Sequence, residues 1–71
     1  MPKRLSTRQI ERILRRHGFQ FVRQTGSHIH YKGIVEGRTR LVTLIANQKD
    51  YHPKTLKSII AQSGLPDEIF D

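Results

Sequence analysis

The apolar positions near the start of the chain recur at helical spacing. Ile10, Ile13 and Leu14 fall on one stripe that ends at His17, while Arg8, Glu11, Arg12 and Arg15 fall on the opposite side. The entry to this helix is also written into the chain. In Leu5-Ser6-Thr7-Arg8-Gln9-Ile10, Ser6 is a favourable N-cap and Gln9 completes a capping box, while Leu5 and Ile10 can close a hydrophobic staple. Gly18 suits the left-handed position beyond the last turn. The pattern predicts a helix over residues 7–17.

From Phe19 the period changes to two, and β-branched and aromatic residues become frequent. Strands are predicted over 19–24, 28–32 and 41–45, with turns at Thr25-Gly26-Ser27 and over residues 33–38, where Gly33 and Gly37 lie. A second helix is predicted over 53–63. Pro53 suits its first position, Leu56, Ile59 and Ile60 form its stripe, and Gly64 stops it. Residues 65–71 read as a short acidic tail with Ile69 or Phe70 docking back on the core. The order is α-β-β-β-α. It implies one two-layer α+β domain over residues 1–71, a three-stranded antiparallel sheet with both helices on one face.

The first hairpin's register follows from burial. A three-residue turn pairs Gln24 with His28, Arg23 with Ile29, Val22 with His30 and Phe21 with Tyr31. The helices then cover Phe19, Phe21, Ile29 and Tyr31, leaving Gln20, Val22, Gln24, His28, His30 and Lys32 on the open face. A two-residue turn would set phenylalanines beside His30 and Lys32 and mix the two faces.

Composition narrows the function classes. Of 71 residues, 35% are apolar, so 25 side chains must build the whole core and no large enclosed active-site cavity fits. There is no cysteine, which excludes disulfides and thiolate metal sites. No apolar run approaches the ~18 residues of a membrane span. Met1-Pro2-Lys3-Arg4 leads straight into the polar periodic segment without a signal-peptide pattern. A cytoplasmic protein with no membrane partner is expected. Charge adds a partner class. All 13 basic residues lie within residues 1–57 beside three acids, a net +10, whereas the last 14 residues carry three acids and no base, a net −3. A basic body of this kind fits a polyanion, above all nucleic acid.

His28 and His30 share one side of a strand, roughly 6.6 Å apart along it. They can act as a general acid–base pair around a phosphate. For RNA this means attack by a ribose 2′-hydroxyl on its own phosphate, with basic groups stabilising the developing charge. A His-x-His metal site would need a third ligand from His52, Asp50 or Asn47, which the sequence does not place. Histidines that only solvate the strand or touch phosphates are the plain alternative. The cations group as Lys3, Arg4, Arg8, Arg12, Arg15 and Arg16 around the first helix, Lys49, Lys54 and Lys57 at the start of the second, and Lys32 on the open face. Such a layout suits phosphate and 2′-hydroxyl contacts to RNA, and a helix N-terminus adds to it.

Several stretches together resemble the HicA (YcfA-like) toxins. They are Leu5-Ser6-Thr7, Ile13-Leu14, His17-Gly18-Phe19, Val22-Arg23-Gln24-Thr25-Gly26-Ser27-His28, Val42-Thr43-Leu44 and Pro53 through Leu65. The likeness spans roughly residues 5–65, and the Arg-Gln-x-Gly-Ser-His run is its most specific part. It implies a double-stranded-RNA-binding-domain-like fold and a cofactor-free, metal-independent ribonuclease that cleaves mRNA. It also implies a HicB-like antitoxin partner that covers the active surface. The family's catalytic histidine corresponds to His28, on a turn formed by Gly26 and Ser27. Two departures stand out. Many members follow the motif directly with a second histidine, where Ile29 precedes His30 here, and many carry Pro-x-His where this chain has Ile45-Ala46-Asn47. The resemblance therefore supports His28 and says little for His30, which on the residues alone is the candidate second proton carrier or phosphate ligand. Two other readings stay open, a non-catalytic double-stranded-RNA-binding module and a basic domain whose main partner is a protein.

Overall fold

In the computed structural model, which describes residues 5–70, the chain forms α1 (Thr7–Arg16), β1 (Gln20–Thr25), β2 (His28–Val35), β3 (Arg38–Ile45), α2 (Pro53–Ser63) and a closing 3₁₀ turn (Asp67–Phe70). The capping box forms as expected. The Gln9 N–H donates to Ser6 Oγ at 3.3 Å, and the Ser6 N–H donates to Gln9 Oε1 at 2.9 Å. His17 is the C-cap rather than the last helical residue. The strands form one antiparallel sheet in the order β1-β2-β3. Ile29, Tyr31, Val42 and Leu44 are buried with Ile10, Leu14, Leu56, Ile59 and Ile60, so both helices cover the same face. This is the two-layer, double-stranded-RNA-binding-like α-β-β-β-α arrangement.

Each strand is displaced or longer than its alternation suggests, because the turns are tighter. The first turn has two residues, Gly26 and Ser27, with Thr25 paired to His28. Gly26 takes φ +59°, and it alone in the turn has a positive φ, as a type II′ hairpin requires at its first central position. The one-residue offset is absorbed at Val22, where a bulge separates the Arg23–His30 pair from the Phe21–Tyr31 pair. Faces therefore stay segregated on β2, while two β1 residues exchange sides. Gln24 lies opposite Ile29 on the helix side, and Arg23 lies opposite His30 on the open side. Phe21 keeps its place opposite Tyr31, with rings edge-on at 6.1 Å, but it is 50% exposed. It sits on an edge strand that buries none of its six residues.

The second turn is Glu36-Gly37, both at positive φ, so β2 and β3 continue to Val35 and Arg38. Gly33 is consequently a strand residue. The Phe19 ring lies on it, and a Cβ there would come within 2.6 Å of that ring.

Beneath the sheet, the buried Tyr31 hydroxyl donates to Glu11 Oε2 at 2.6 Å, and the Arg15 guanidinium lies 5.9 Å from the ring centre. Burial, reinforced by the Glu11 bond and charge and opposed by Arg15, pushes the Tyr31 phenol from 10.0 up to about 12. The folded chain therefore holds this proton where the unfolded chain releases it. Its stabilising effect is complete below pH 10 and fades as the pH rises toward 12. Urea midpoints should fall more steeply across that window for the parent than for Tyr31→Phe. Equal slopes would contradict the assignment.

Candidate functional site

Alternation along β2 delivers His28, His30 and Lys32 to the open face while Ile29 and Tyr31 enter the core. The two histidines differ in setting. His30 is half-buried, and its Nδ1 lies 3.2 Å from the hydroxyl of Thr43, its partner on β3. His28 is exposed at the corner beside the Gly26-Ser27 turn, paired with Thr25 on one side and Ile45 on the other. Its ring forms no hydrogen bond among the described residues.

Arg23, directly opposite His30, is the functional candidate that sequence reasoning places on the wrong face. Directly paired residues bring their Cβ atoms to about 5 Å, so its guanidinium can reach the surface between the histidines. The signal that reveals it is Gly-Ser as a two-residue II′ turn with a compensating bulge. The face also exposes Ile34 and Leu41, at the end of the sheet away from His28.

The His28 end is where the helices begin. The Thr7 N–H donates to the Gln48 carbonyl at 2.9 Å, and the Tyr51 N–H donates to the Leu5 carbonyl at 3.2 Å. The Thr7 and Tyr51 hydroxyls lie 2.7 Å apart, and both donate to the Ile45 carbonyl. The Ile45 N–H in turn donates to the Tyr51 hydroxyl at 3.0 Å. This buried cluster pins the entry of α1 and the loop before α2 to the residue paired with His28. Next to Tyr51, His52 caps α2, its Nδ1 accepting from the Lys54 N–H at 3.2 Å. The positive ends of both helix dipoles thus lie at the end of the sheet that carries His28.

A recess of about 470 Å³ opens here, lined by Arg8, Glu11, Gln24, Asn47, Gln48 and Lys49 among others. Asn47 turns the chain out of β3 at φ +61°, a left-handed conformation that asparagine tolerates. Arg8 and Lys49 therefore share this end, and exposed Lys54 stands in the first turn of α2. The other candidate cations are dispersed. Lys57 is nearly a turn further along α2, Lys32 lies further down the open face, and Arg12 faces outward on α1 with Arg15 and Arg16. Lys3 and Arg4 lie outside the described residues. Among the described residues no three His, Cys, Asp or Glu side chains cluster as metal ligands would, and no helix is long and apolar enough to cross a membrane.

Comparison with known proteins adds one positive finding. A family model described as the HicA toxin of bacterial toxin–antitoxin systems matches residues 7–65. No curated protein matches the chain.

Proposed function

The chain belongs to the HicA toxin family of bacterial toxin–antitoxin systems, and from that premise we propose that it is a metal-independent endoribonuclease that cleaves mRNA at the His28 corner. The observation that carries this reading is the setting of His28. An exposed imidazole stands on the open face, at the end of the sheet where both helices begin and where Arg8 and Lys49 line a recess on the helix side.

The chemistry needs no more than these groups supply. His28 takes the proton of a ribose 2′-hydroxyl as that oxygen bonds to the adjacent phosphorus. The bond from phosphorus to the 5′-oxygen breaks, and an imidazolium protonates the departing oxygen. We assign that second role to His30, whose Nδ1 lies 3.2 Å from the Thr43 hydroxyl. Arg23 and Lys32 flank the histidines and can neutralise charge on the phosphorane oxygens. The products are a 2′,3′-cyclic phosphate and a 5′-hydroxyl. Gly26 and Ser27 serve by forming the turn that presents His28.

Arg8, Arg12, Lys49, Lys54 and Lys57, with Lys3 and Arg4, are proposed to hold the RNA backbone. A toxin of this family has an antitoxin partner, which we take to be HicB-like, and mRNA as substrate places the chain in the cytoplasm. Incubation with RNA in EDTA tests the reading and should yield cyclic-phosphate ends. RNA that is bound but left intact would point instead to a non-catalytic double-stranded-RNA-binding module.

A further inference from the structure

A second basic surface lies on the outer side of α1. At about 100° per residue, Arg8, Arg12, Arg15 and Arg16 fall within one face of the helix, opposite Ile10 and Leu14, which are fully buried. These arginines and Glu11 line a shallow recess of about 430 Å³. Glu11, the acid among them, is drawn to the core side by the Tyr31 hydroxyl, and the same ring supports Arg15 from below. Four guanidinium groups are thus offered to solvent by a rigid helix. Arginine, unlike lysine, presents a planar fork that matches two phosphate oxygens at once.

We infer that this α1 face is a phosphodiester-binding track that grips the RNA strand beyond the bond being cleaved. The inference rests on the ribonuclease reading and deepens it by assigning an extended substrate. Continuity supports it, because Arg8 lines both this recess and the one that also contains Gln24, Asn47 and Lys49 at the His28 end. Length supports it as well. Arg8 to Arg16 spans about 12 Å of helix axis, longer than one phosphate group, so the track suits successive phosphates of a strand rather than one isolated anion.

The surface chemistry favours this occupant over others. None of the exposed large apolar residues, Phe21, Val22, Ile34, Leu41 and Ile45, lies on α1. A membrane-surface helix would need a free apolar face to insert, and a protein partner would need apolar anchors around which to exclude water.

The test uses the His28→Ala chain, so that RNA stays intact, and follows binding of a long single-stranded RNA as salt is raised. Arg12→Gln with Arg16→Gln removes two exposed cations. The plot of log affinity against log salt should become shallower by about 1.4, at ~0.7 for each phosphate that is no longer neutralised. Arg12→Lys with Arg16→Lys should keep the parent slope. Thermal melts of each variant confirm that the fold is retained. If the His28→Ala chain binds RNA and the glutamine pair leaves the slope unchanged, the track is overturned while the ribonuclease reading stands. Loss of antitoxin binding with RNA binding intact would also overturn it and assign the stripe to a protein partner. A His28→Ala chain that binds no RNA at all overturns both.

Discussion

His28→Ala should lower the rate of RNA cleavage by about 10²–10⁴-fold, the range expected when one proton-transferring side chain is removed. RNA binding should persist. The His28 ring is not among the side chains of the core. It is exposed, and among the described residues it holds no hydrogen bond, so the fold has little need of it. Exposed substitutions of this kind change stability by no more than about 0.5 kcal/mol. A large loss of rate with an unchanged melting temperature would therefore belong to chemistry. On the proposed reading, affinity comes from a separate set of groups, the helix N-termini and the arginines and lysines, and truncating the imidazole leaves these in place. Equal cleavage by parent and variant would remove His28 from the reaction and move attention to His30.

The second large effect concerns the far end of the chain. Phe70→Ala should cost about 3–5 kcal/mol of folding stability, as for other phenylalanines truncated in a core. Asp67 and Glu68 give the tail its charge and are exposed, yet Phe70 in the same 3₁₀ turn is completely buried and belongs to the main core. That core contains 13 buried apolar residues among those described, so one aromatic ring is a substantial share of it. Domains of this size hold stabilities toward the lower end of about 5–15 kcal/mol. Urea unfolding at unchanged m-value measures the loss. A cost below about 1 kcal/mol would mean that the tail does not dock in solution. The acidic segment is then best regarded as a structural clasp whose charges point away from the core it closes.

Much of this architecture is legible in the chain because local and tertiary demands agree. Ser6 and Gln9 mark the start of α1, Pro53 and Gly64 bracket α2, and the alternation of His28, Ile29, His30 and Tyr31 separates a chemical face from a core face. The register of β1 is not legible, for a specific reason. Val22 occupies a bulge, and a bulge shifts which residues share a face without altering composition. An apolar residue at that point reads as one more step of alternation, so Arg23 falls on the covered side and Gln24 on the open one. Gly33 misleads in a different way. Two glycines within residues 33–38 signal a turn, whereas at Gly33 the lack of a side chain makes room for the Phe19 ring, fourteen residues earlier in the chain. The Thr7, Tyr51 and Ile45 cluster is equally hidden, because it joins residues that only the finished fold brings together.

The central claim is that the 2′-hydroxyl of the substrate is the nucleophile and that histidine, rather than a metal ion, moves the protons. The most direct measurement compares cleavage, in EDTA, of an RNA and of the same strand with 2′-deoxyribose at the scissile position. The account predicts that the RNA is cut to 2′,3′-cyclic phosphate and 5′-hydroxyl ends and that the deoxy strand remains whole. Cleavage of the deoxy strand, or cleavage of RNA that requires added divalent metal, would contradict it.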